Sequence, residues 1–247
     1  MIDLGCFLTE RLALDVLRLA NKAKLESVVN ISTKSLSLNT PWVTTMFKNA
    51  VFIFITTVLA THAHAQLAPQ TLIVAGGCFW CVESDYEALD GVISAESGYI
   101  NGETENPKYR EVASKTTGHF EAVKITYNPS EVELSALVDF FWRTIDPTDD
   151  EGQFCDKGSP YKTALFYQNP KQQQLFSDSK AALQMDKPFT ADVVTQVLAA
   201  ETFYPAEDYH QDYYLKNPLR YKLYRTSCGR DRRIKQLWGE LASAHVK

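Results

Sequence analysis

Two cysteines, Cys78 and Cys81, lie where a helix should begin. The apolar run from Thr71 to Ala75 predicts a buried strand, and Gly76 and Gly77 end it. A thiol at the first turn of a helix lies at the positive end of the helix dipole, beside N–H groups that have no partner within the helix. Both features lower the pKa of a thiol, so Cys78 is predicted to be an attacking thiolate.

Two large aromatic side chains, Phe79 and Trp80, separate these cysteines. Beside a thiolate, such rings can bind an apolar methyl or thioether group, although core packing explains them equally well. A Cys-x-x-Cys spacing at a helix start is also typical of a thioredoxin-like dithiol, in which Cys78 and Cys81 would form the redox pair. The motif therefore leaves two chemistries open: attack on a small substrate and thiol–disulfide exchange.

A zinc site in a peptide-binding module is the third interpretation. Cys155 and Cys228 stand alone in the sequence, as do His119 and His210. Structural zinc sites usually show two close pairs of ligands, so this pattern is weak evidence for a metal. We therefore expect no metal and no other cofactor, and we expect the two histidines to be structural hydrogen-bond partners.

The elements that must position Cys78 predict an α+β fold. Strand 71–75 is followed by a helix over 79–89, strands at 92–99 and 121–127, a helix beginning near residue 134 and a strand at 163–167. This order is typical of a ferredoxin-like βαββαβ unit, with helices on one face of a mixed sheet. We expect a two-layer α/β sandwich with a long C-terminal extension. The extension is predicted to contain a helix at 169–185, a strand at 193–198, a helix at 206–215 and a last helix after residue 229.

The first 65 residues differ from the rest of the 247-residue chain. Lys48 follows Met46, an apolar run extends from Ala50 to Ala60, and Ala63-His64-Ala65 ends the segment. This is the order of a secretory signal peptide. The run is shorter than the roughly 20 apolar residues that cross a bilayer.

We therefore predict a signal peptide at residues 46–65 that is cleaved after Ala65. Residues 1–45 are predicted to be an upstream extension that is not native or is disordered, and residues 66–247 one globular domain. The expected location is periplasmic or secreted, without stable membrane association after processing, and cytoplasmic if the signal is not used. The net charge of −5 argues against the basic face that binding to nucleic acid requires.

A series of short motifs resembles the peptide methionine sulfoxide reductase A family. It begins at Gly76-Gly77-Cys78-Phe79-Trp80 and covers essentially the whole predicted domain. The further motifs are Gly98-Tyr99, Asn106-Pro107-Lys108-Tyr109, Thr117-Gly118-His119-Phe120-Glu121, Asp146-Pro147-Thr148, Cys155-Asp156-Lys157-Gly158, Tyr204-Pro205-Ala206-Glu207-Asp208-Tyr209-His210-Gln211, Cys228-Gly229-Arg230-Asp231 and Leu237-Trp238-Gly239.

The resemblance implies an enzyme that reduces the S epimer of methionine sulfoxide in proteins and peptides to methionine. Cys78 then corresponds to the nucleophile that attacks the sulfoxide sulfur. Glu121 corresponds to the acid that protonates the departing oxygen, a role that a carboxyl beside an apolar pocket can fill. Tyr109 and Tyr161 correspond to hydroxyls that orient this oxygen. Without the resemblance, Glu121 would be interpreted as a solvated carboxylate.

The resemblance also implies that Phe79 and Trp80 surround the substrate methyl group and that Asp156 positions water and neighbouring donors. Cys78 is left as a sulfenic acid, which a second thiol converts to a disulfide. We prefer Cys228 slightly over Cys81 as this resolving thiol, with Cys155 as a third candidate. Many family members have glycine at the position of Cys81. The expected partners are oxidised proteins and peptides, free methionine sulfoxide and a thioredoxin-like reductant.

Overall fold

The computed structural model describes residues 67–242. The predicted upstream extension at 1–45 and the predicted signal peptide at 46–65 lie outside the described residues. Between residues 67 and 242, no helix is long and apolar enough to span a membrane.

The described chain contains eight strands, seven α-helices and two short 3₁₀ helices. In order they are β1 (Gln70–Gly76), α1 (Phe79–Glu87), β2 (Val92–Ile100), α2 (Tyr109–Ala113), β3 (Phe120–Tyr127), α3 (Leu134–Arg143), β4 (Gly152–Gln153), β5 (Asp156–Lys157), a 3₁₀ helix (Ser159–Tyr161), β6 (Thr163–Tyr167), α4 (Pro170–Met185), β7 (Gln196–Ala199), β8 (Tyr204–Pro205), α5 (Tyr213–Lys216), α6 (Pro218–Cys228), α7 (Arg230–Trp238) and a second 3₁₀ helix (Gly239–Ala242).

The six-stranded main sheet has the order β7-β6-β1-β3-β2-β8. Strand β1 pairs antiparallel with β3 and with β6, and β2 pairs antiparallel with β3. This is the arrangement of a βαββαβ unit, in which two halves interleave their strands. Strand β7 is parallel to β6 and makes the sheet mixed. The predicted fold class is therefore confirmed.

The two faces of the sheet have different covers because successive side chains of a strand point to opposite sides. Leu72 and Val74 of β1 belong to the large core cluster formed with α1 and α3, whereas Ile73 and Ala75 belong to a smaller cluster on the other face. On β3, residue 121 alternates with residues 120 and 122 of the smaller cluster and is in phase with Val123 of the large one. The side chain of Glu121 is thereby directed towards the helical layer.

The C-terminal extension differs from the prediction. The helix expected at 206–215 is only the short α5, preceded by β8 and turns, and α6 was not predicted. No residue of α6 is buried, and Leu219 and Leu223 are exposed, so no apolar stripe facing the core marks this helix. The two ends of α6 carry ordinary boundary signals. Pro218 occupies the first turn, and Gly229 follows the last residue with a φ of 76°.

Candidate active site

The turn between β1 and α1 requires Gly77. Its φ is +81°, and a Cβ at this position would lie 2.5 Å from the Cβ of Gln153. Buried Arg230 fixes the strand end, donating to the carbonyl oxygen of Gly76 at 3.0 Å and to that of Thr144 at 2.8 Å. Residue 78 is thereby presented at the N-cap of α1, as the sequence predicts.

The ionisation predicted for Cys78 is wrong for the structure shown here. Cys78 and Cys81 are both free thiols and are only 7% and 2% exposed. Burial, followed by a hydrogen bond to Cys81, raises the pKa of the Cys78 thiol well above its usual range. The pKa of Cys81 is lowered, first by its hydrogen bond with Cys78 and, after an opposing effect of burial, by Arg230 and Arg225.

Burial outweighs the helix dipole at Cys78 for two reasons. The dipole contributes roughly 1 kcal/mol or less near a helix terminus, whereas full burial shifts a pKa by up to about 3–5 units. Moreover, the Cys78 side chain caps no N–H group. The N–H of Phe79 is donated instead to Oε2 of Glu121 at 3.1 Å.

Glu121 is a buried carboxyl at the start of β3. It is 2% exposed, and burial raises its pKa to about 8, against the opposing effect of the hydrogen bond from Phe79. The group is therefore protonated at neutral pH. When it is ionised, its negative charge is close enough to raise the pKa of Cys78 and of both predicted tyrosines.

Tyr109 and Tyr161 lie close enough to affect each other's pKa, and burial raises the pKa of Tyr109 to about 12. Glu207 holds the backbone of this region, since its carboxylate accepts the N–H of Tyr109 at 3.0 Å and the hydroxyl of Tyr99 at 3.0 Å. Both predicted tyrosines thus retain their protons and can act as donors. Glu207 connects the C-terminal extension to this part of the site.

The two aromatic residues of the motif have different environments. Phe79 is 1% exposed, whereas Trp80 is only partly buried. The ring of Trp80 stacks on Tyr213 at 3.7 Å, and its Nε1 donates to Nδ1 of His210 at 3.0 Å. Burial lowers the pKa of His210 to about 4, so this imidazole is neutral. His210 is thus a structural partner, as expected, and His119 likewise contacts the carbonyl oxygen of Thr104 at 2.8 Å.

Tyr224 on α6 is a site residue that the sequence analysis missed. Its hydroxyl donates to Oδ2 of Asp156 and is close enough to lower the pKa of Cys78, and its ring meets Trp80 edge-on at 5.8 Å. Cys228, one turn further along α6, forms a disulfide with Cys155. Its sulfur lies 3.9 Å from Oδ2 of Asp156.

The described residues offer two groups of possible metal ligands: Cys155, Asp156 and Cys228, and Glu83, Glu87 and Asp212. The two sulfurs of the first group are already bonded to each other. In the second group, both carboxylate oxygens of Glu83 accept hydrogen bonds, from the Ser97 hydroxyl at 2.7 Å and from the N–H of Asp212 at 2.8 Å. The ligand atoms of Cys155, Cys228 and Glu83 are therefore already engaged in other bonds.

The structure thus brings together Cys78, Cys81, Glu121, Tyr109, Tyr161 and Asp156, and places Phe79 and Trp80 directly after the first of them. Cys228 is near Asp156 but has no free thiol. A sulfur, a protonated carboxyl and two phenols thus lie together, and the sulfur and the carboxyl are buried. Such a set can attack an electrophilic centre and give a proton to a departing oxygen.

Comparisons with known proteins agree with this chemistry. A family model described as peptide methionine sulfoxide reductase matches residues 70–242. The chain is 48% identical, over 74% of its length and 93% of the relative's, to peptide methionine sulfoxide reductase MsrA 2 of Caulobacter vibrioides. It is 49% identical, over 67% of its length and 93% of the relative's, to peptide methionine sulfoxide reductase MsrA of Bacillus subtilis.

Among solved structures, it is similar to Mxr1 from Saccharomyces cerevisiae in reduced form. The TM-score is 0.58 and the sequence identity 32%, over 61% of this chain and 87% of that one.

Proposed function

The chain belongs to the peptide methionine sulfoxide reductase family, and on that premise we propose that it reduces methionine S-sulfoxide in proteins, in peptides and as the free amino acid. The observation that carries the proposal is the pairing of the free thiol of Cys78 with a protonated carboxyl, Glu121, which accepts the N–H of the next residue. The activity requires a nucleophile and an acid together, since oxide is a very poor leaving group.

In the proposed first step, the sulfur of Cys78 attacks the sulfoxide sulfur. Glu121 supplies the proton that the oxygen needs as the S–O bond breaks, while the Tyr109 and Tyr161 hydroxyls donate hydrogen bonds to it. The sulfoxide is reduced to a thioether, and Cys78 is oxidised to a sulfenic acid that carries the oxygen. Trp80, the more exposed of the two aromatic residues, contacts the methyl group, with Phe79 packed behind it.

We propose Cys81 as the thiol that resolves the sulfenic acid in this state. It is hydrogen-bonded to Cys78 and it is free, whereas Cys228 is bonded to Cys155. Condensation forms the Cys78–Cys81 disulfide and releases the oxygen as water. Arg225 and Arg230 favour the thiolate form of Cys81, which is the form that attacks.

The proposed reductant is a thioredoxin-like dithiol protein, which would reopen the disulfide by thiol–disulfide exchange. The location of this chain is a separate proposal. Because of the segment at 46–65, we propose that the chain is exported to the periplasm or the cell exterior and is cleaved after Ala65. Sequencing the N-terminus of the protein recovered from each cell fraction tests the location. An unprocessed chain in the cytoplasm would contradict export but not the activity.

The activity is tested by incubating the protein with a peptide that contains the S or the R epimer of methionine sulfoxide, together with dithiothreitol. Mass spectrometry should show loss of one oxygen from the S epimer only, and Cys78→Ser should show none. Full activity of Cys78→Ser, or equal use of both epimers, would contradict the proposal. Reduction of insulin disulfides without sulfoxide reduction would favour the alternative function, a thioredoxin-like oxidoreductase that uses Cys78 and Cys81.

A further inference from the structure

To become a thiolate, Cys78 needs a base that accepts its proton. Its thiol is buried, and burial together with Cys81 and Glu121 opposes its ionisation. Glu121 cannot take the proton, because the same reaction needs Glu121 in the protonated form. A buried nucleophile with an unfavourable pKa is activated by an adjacent group that accepts its proton.

Tyr224 is the group of suitable geometry next to Cys78. Its hydroxyl donates to Oδ2 of Asp156 and is close enough to the Cys78 sulfur to interact with it. A hydroxyl has one proton and two lone pairs, so when it donates to Asp156 it can accept the thiol proton of Cys78. The Tyr224 hydroxyl is therefore placed to pass a proton from the thiol to a carboxylate.

We propose that Tyr224 and Asp156 form a proton relay that activates Cys78. The thiol proton moves to the oxygen of Tyr224 as the phenol proton moves to Asp156, so that a thiolate and a neutral carboxyl replace a thiol and a carboxylate. No electrons are exchanged in this step. The reoriented Tyr224 hydroxyl then donates a hydrogen bond to the thiolate.

The surroundings of Asp156 suit a proton acceptor. Burial raises its pKa and so strengthens it as a base, whereas the hydrogen bond from Tyr224 and the charges of Arg230 and Lys157 favour the ionised form that can take up the proton. Glu121 has no comparable cation and is held neutral. Two carboxyls whose environments differ in this way can act as the base and the acid of one reaction.

The Cys155–Cys228 disulfide lies at the outer end of the relay. Cys155 directly precedes Asp156, and Cys228 closes the helix that carries Tyr224. The bond therefore connects the two segments whose side chains must stay in contact. This gives the outer cysteine pair a positioning role for Asp156 and Tyr224.

The inference rests on the proposed role of Cys78 and is tested by Tyr224→Phe, which keeps the ring beside Trp80 and removes the hydroxyl. The full chain is treated with iodoacetamide without reductant, and peptide mass mapping follows the label on Cys78. Labelling at pH 7 should slow at least about tenfold, because a hydrogen bond to a charged group is worth that much. The defect should shrink towards pH 9, where hydroxide replaces the base.

The first turnover of a sulfoxide peptide should slow roughly a hundredfold, the scale of general base catalysis, with KM unchanged. Asp156→Asn should give the same two losses, and the double variant should lose no more than either single one. Tyr214→Phe is the matched control. It removes another phenol that donates to a carboxylate, that of Glu87 at 2.7 Å, and it should change neither rate.

Unchanged labelling of Cys78 in Tyr224→Phe, or additive losses in the double variant, would overturn the relay. These outcomes differ from failure of the proposed function. In that case Cys78→Ser would retain activity on the sulfoxide peptide, whatever the labelling rates are. If Tyr224→Phe does not fold, Asp156→Asn alone decides the question through its labelling rate.

Discussion

The two cysteine pairs of this domain differ in burial, in bonding and in the elements that hold them. Cys78 and Cys81 are free and almost fully buried at the junction of a central strand and a helix. Cys155 is exposed and bonded to Cys228, at the junction of a short hairpin and the end of α6. The inner pair is thus protected from solvent, whereas the outer pair lies where a partner protein can reach it.

The comparison shows what burial contributes to reactivity here. The inner thiols are surrounded by the groups that the proposed reaction needs: a neutral acid, two phenols and the cations beside Cys81. At the outer pair, the titratable neighbour is Asp156, whose Oδ2 lies 3.9 Å from the sulfur of Cys228. In the proposed mechanism, the inner pair performs the chemistry and the outer pair holds the site together.

The largest difference between the two pairs is expected when one cysteine of each pair is replaced by serine. In Cys81→Ser, one turnover without reductant should leave Cys78 as a sulfenic acid, because no neighbouring thiol condenses with it. Dimedone should then label Cys78 almost completely. In Cys155→Ser, the inner pair should still close, and dimedone should label very little Cys78.

The measurement is the mass of the peptide that carries residue 78 after one equivalent of sulfoxide. Strong dimedone labelling in Cys228→Ser and none in Cys81→Ser would reverse the assignment of the resolving thiol. It would favour Cys228, the residue that the sequence analysis preferred.

The second effect concerns the acid of the inner region. Glu121→Gln keeps an oxygen that can accept the N–H of Phe79 but removes the proton donor, so kcat should fall roughly 10²–10⁴-fold. In the wild type, activity should decline as pH rises through about 8, the pKa of Glu121, because the acid loses its proton there. This decline should be absent from the residual activity of the variant.

The pH dependence of the free energy of unfolding tests the raised pKa of Glu121 independently of activity. A buried carboxyl whose pKa is raised in the fold ionises more easily when unfolded, so the wild type loses stability as pH rises between its ordinary 4.5 and about 8. Glu121→Gln should lack this loss, and its free energy of unfolding should exceed that of the wild type by a margin that grows up to about pH 8. Glu111→Gln, which changes an exposed carboxylate on α2, is the control. A constant margin across this range would mean that Glu121 is not held neutral.

The inner region was more predictable from the sequence than the outer one. An apolar run, two glycines and a Cys-x-x-Cys motif are local signals, and they placed Cys78 at the N-cap of α1. The partners of α6 are not local: Tyr224 meets Asp156 across 68 positions, and Cys155 meets Cys228 across 73. Four cysteines allow three pairings, and spacing alone does not choose among them.

The pKa of Cys78 shows another limit of sequence reasoning. The helix start is visible in the sequence and favours a thiolate, but burial is a property of the packed molecule. Pro218 and Gly229 mark the two ends of α6, but the helix buries no residue and its leucines are exposed, so it has no apolar stripe that faces the core. Attention to end signals could have found this helix, and with it the alignment of Tyr224 and Cys228 one turn apart.

The smallest expected effect compares one glycine from each region. Gly77 and Gly158 have φ values of +81° and +116°, so an alanine is strained at either position, by roughly 1–3 kcal/mol. At Gly77 the new Cβ would also lie 2.5 Å from the Cβ of Gln153. The Gln153 side chain is buried and bonded to the backbone of Asp146 and Gly152, so it has nowhere to move. Overpacking of this kind adds about 1–3 kcal/mol.

At Gly158 the new Cβ would meet only the end of the exposed Lys115 side chain, which can move away. Gly77→Ala should therefore lower the free energy of unfolding in denaturant by about 2 kcal/mol more than Gly158→Ala does. It should also slow iodoacetamide labelling or turnover at Cys78, because the turn sets the position of that sulfur. Equal losses of stability would mean that the inner turn is no more rigidly held than the outer loop, and the contrast between the two regions would then rest on charge alone.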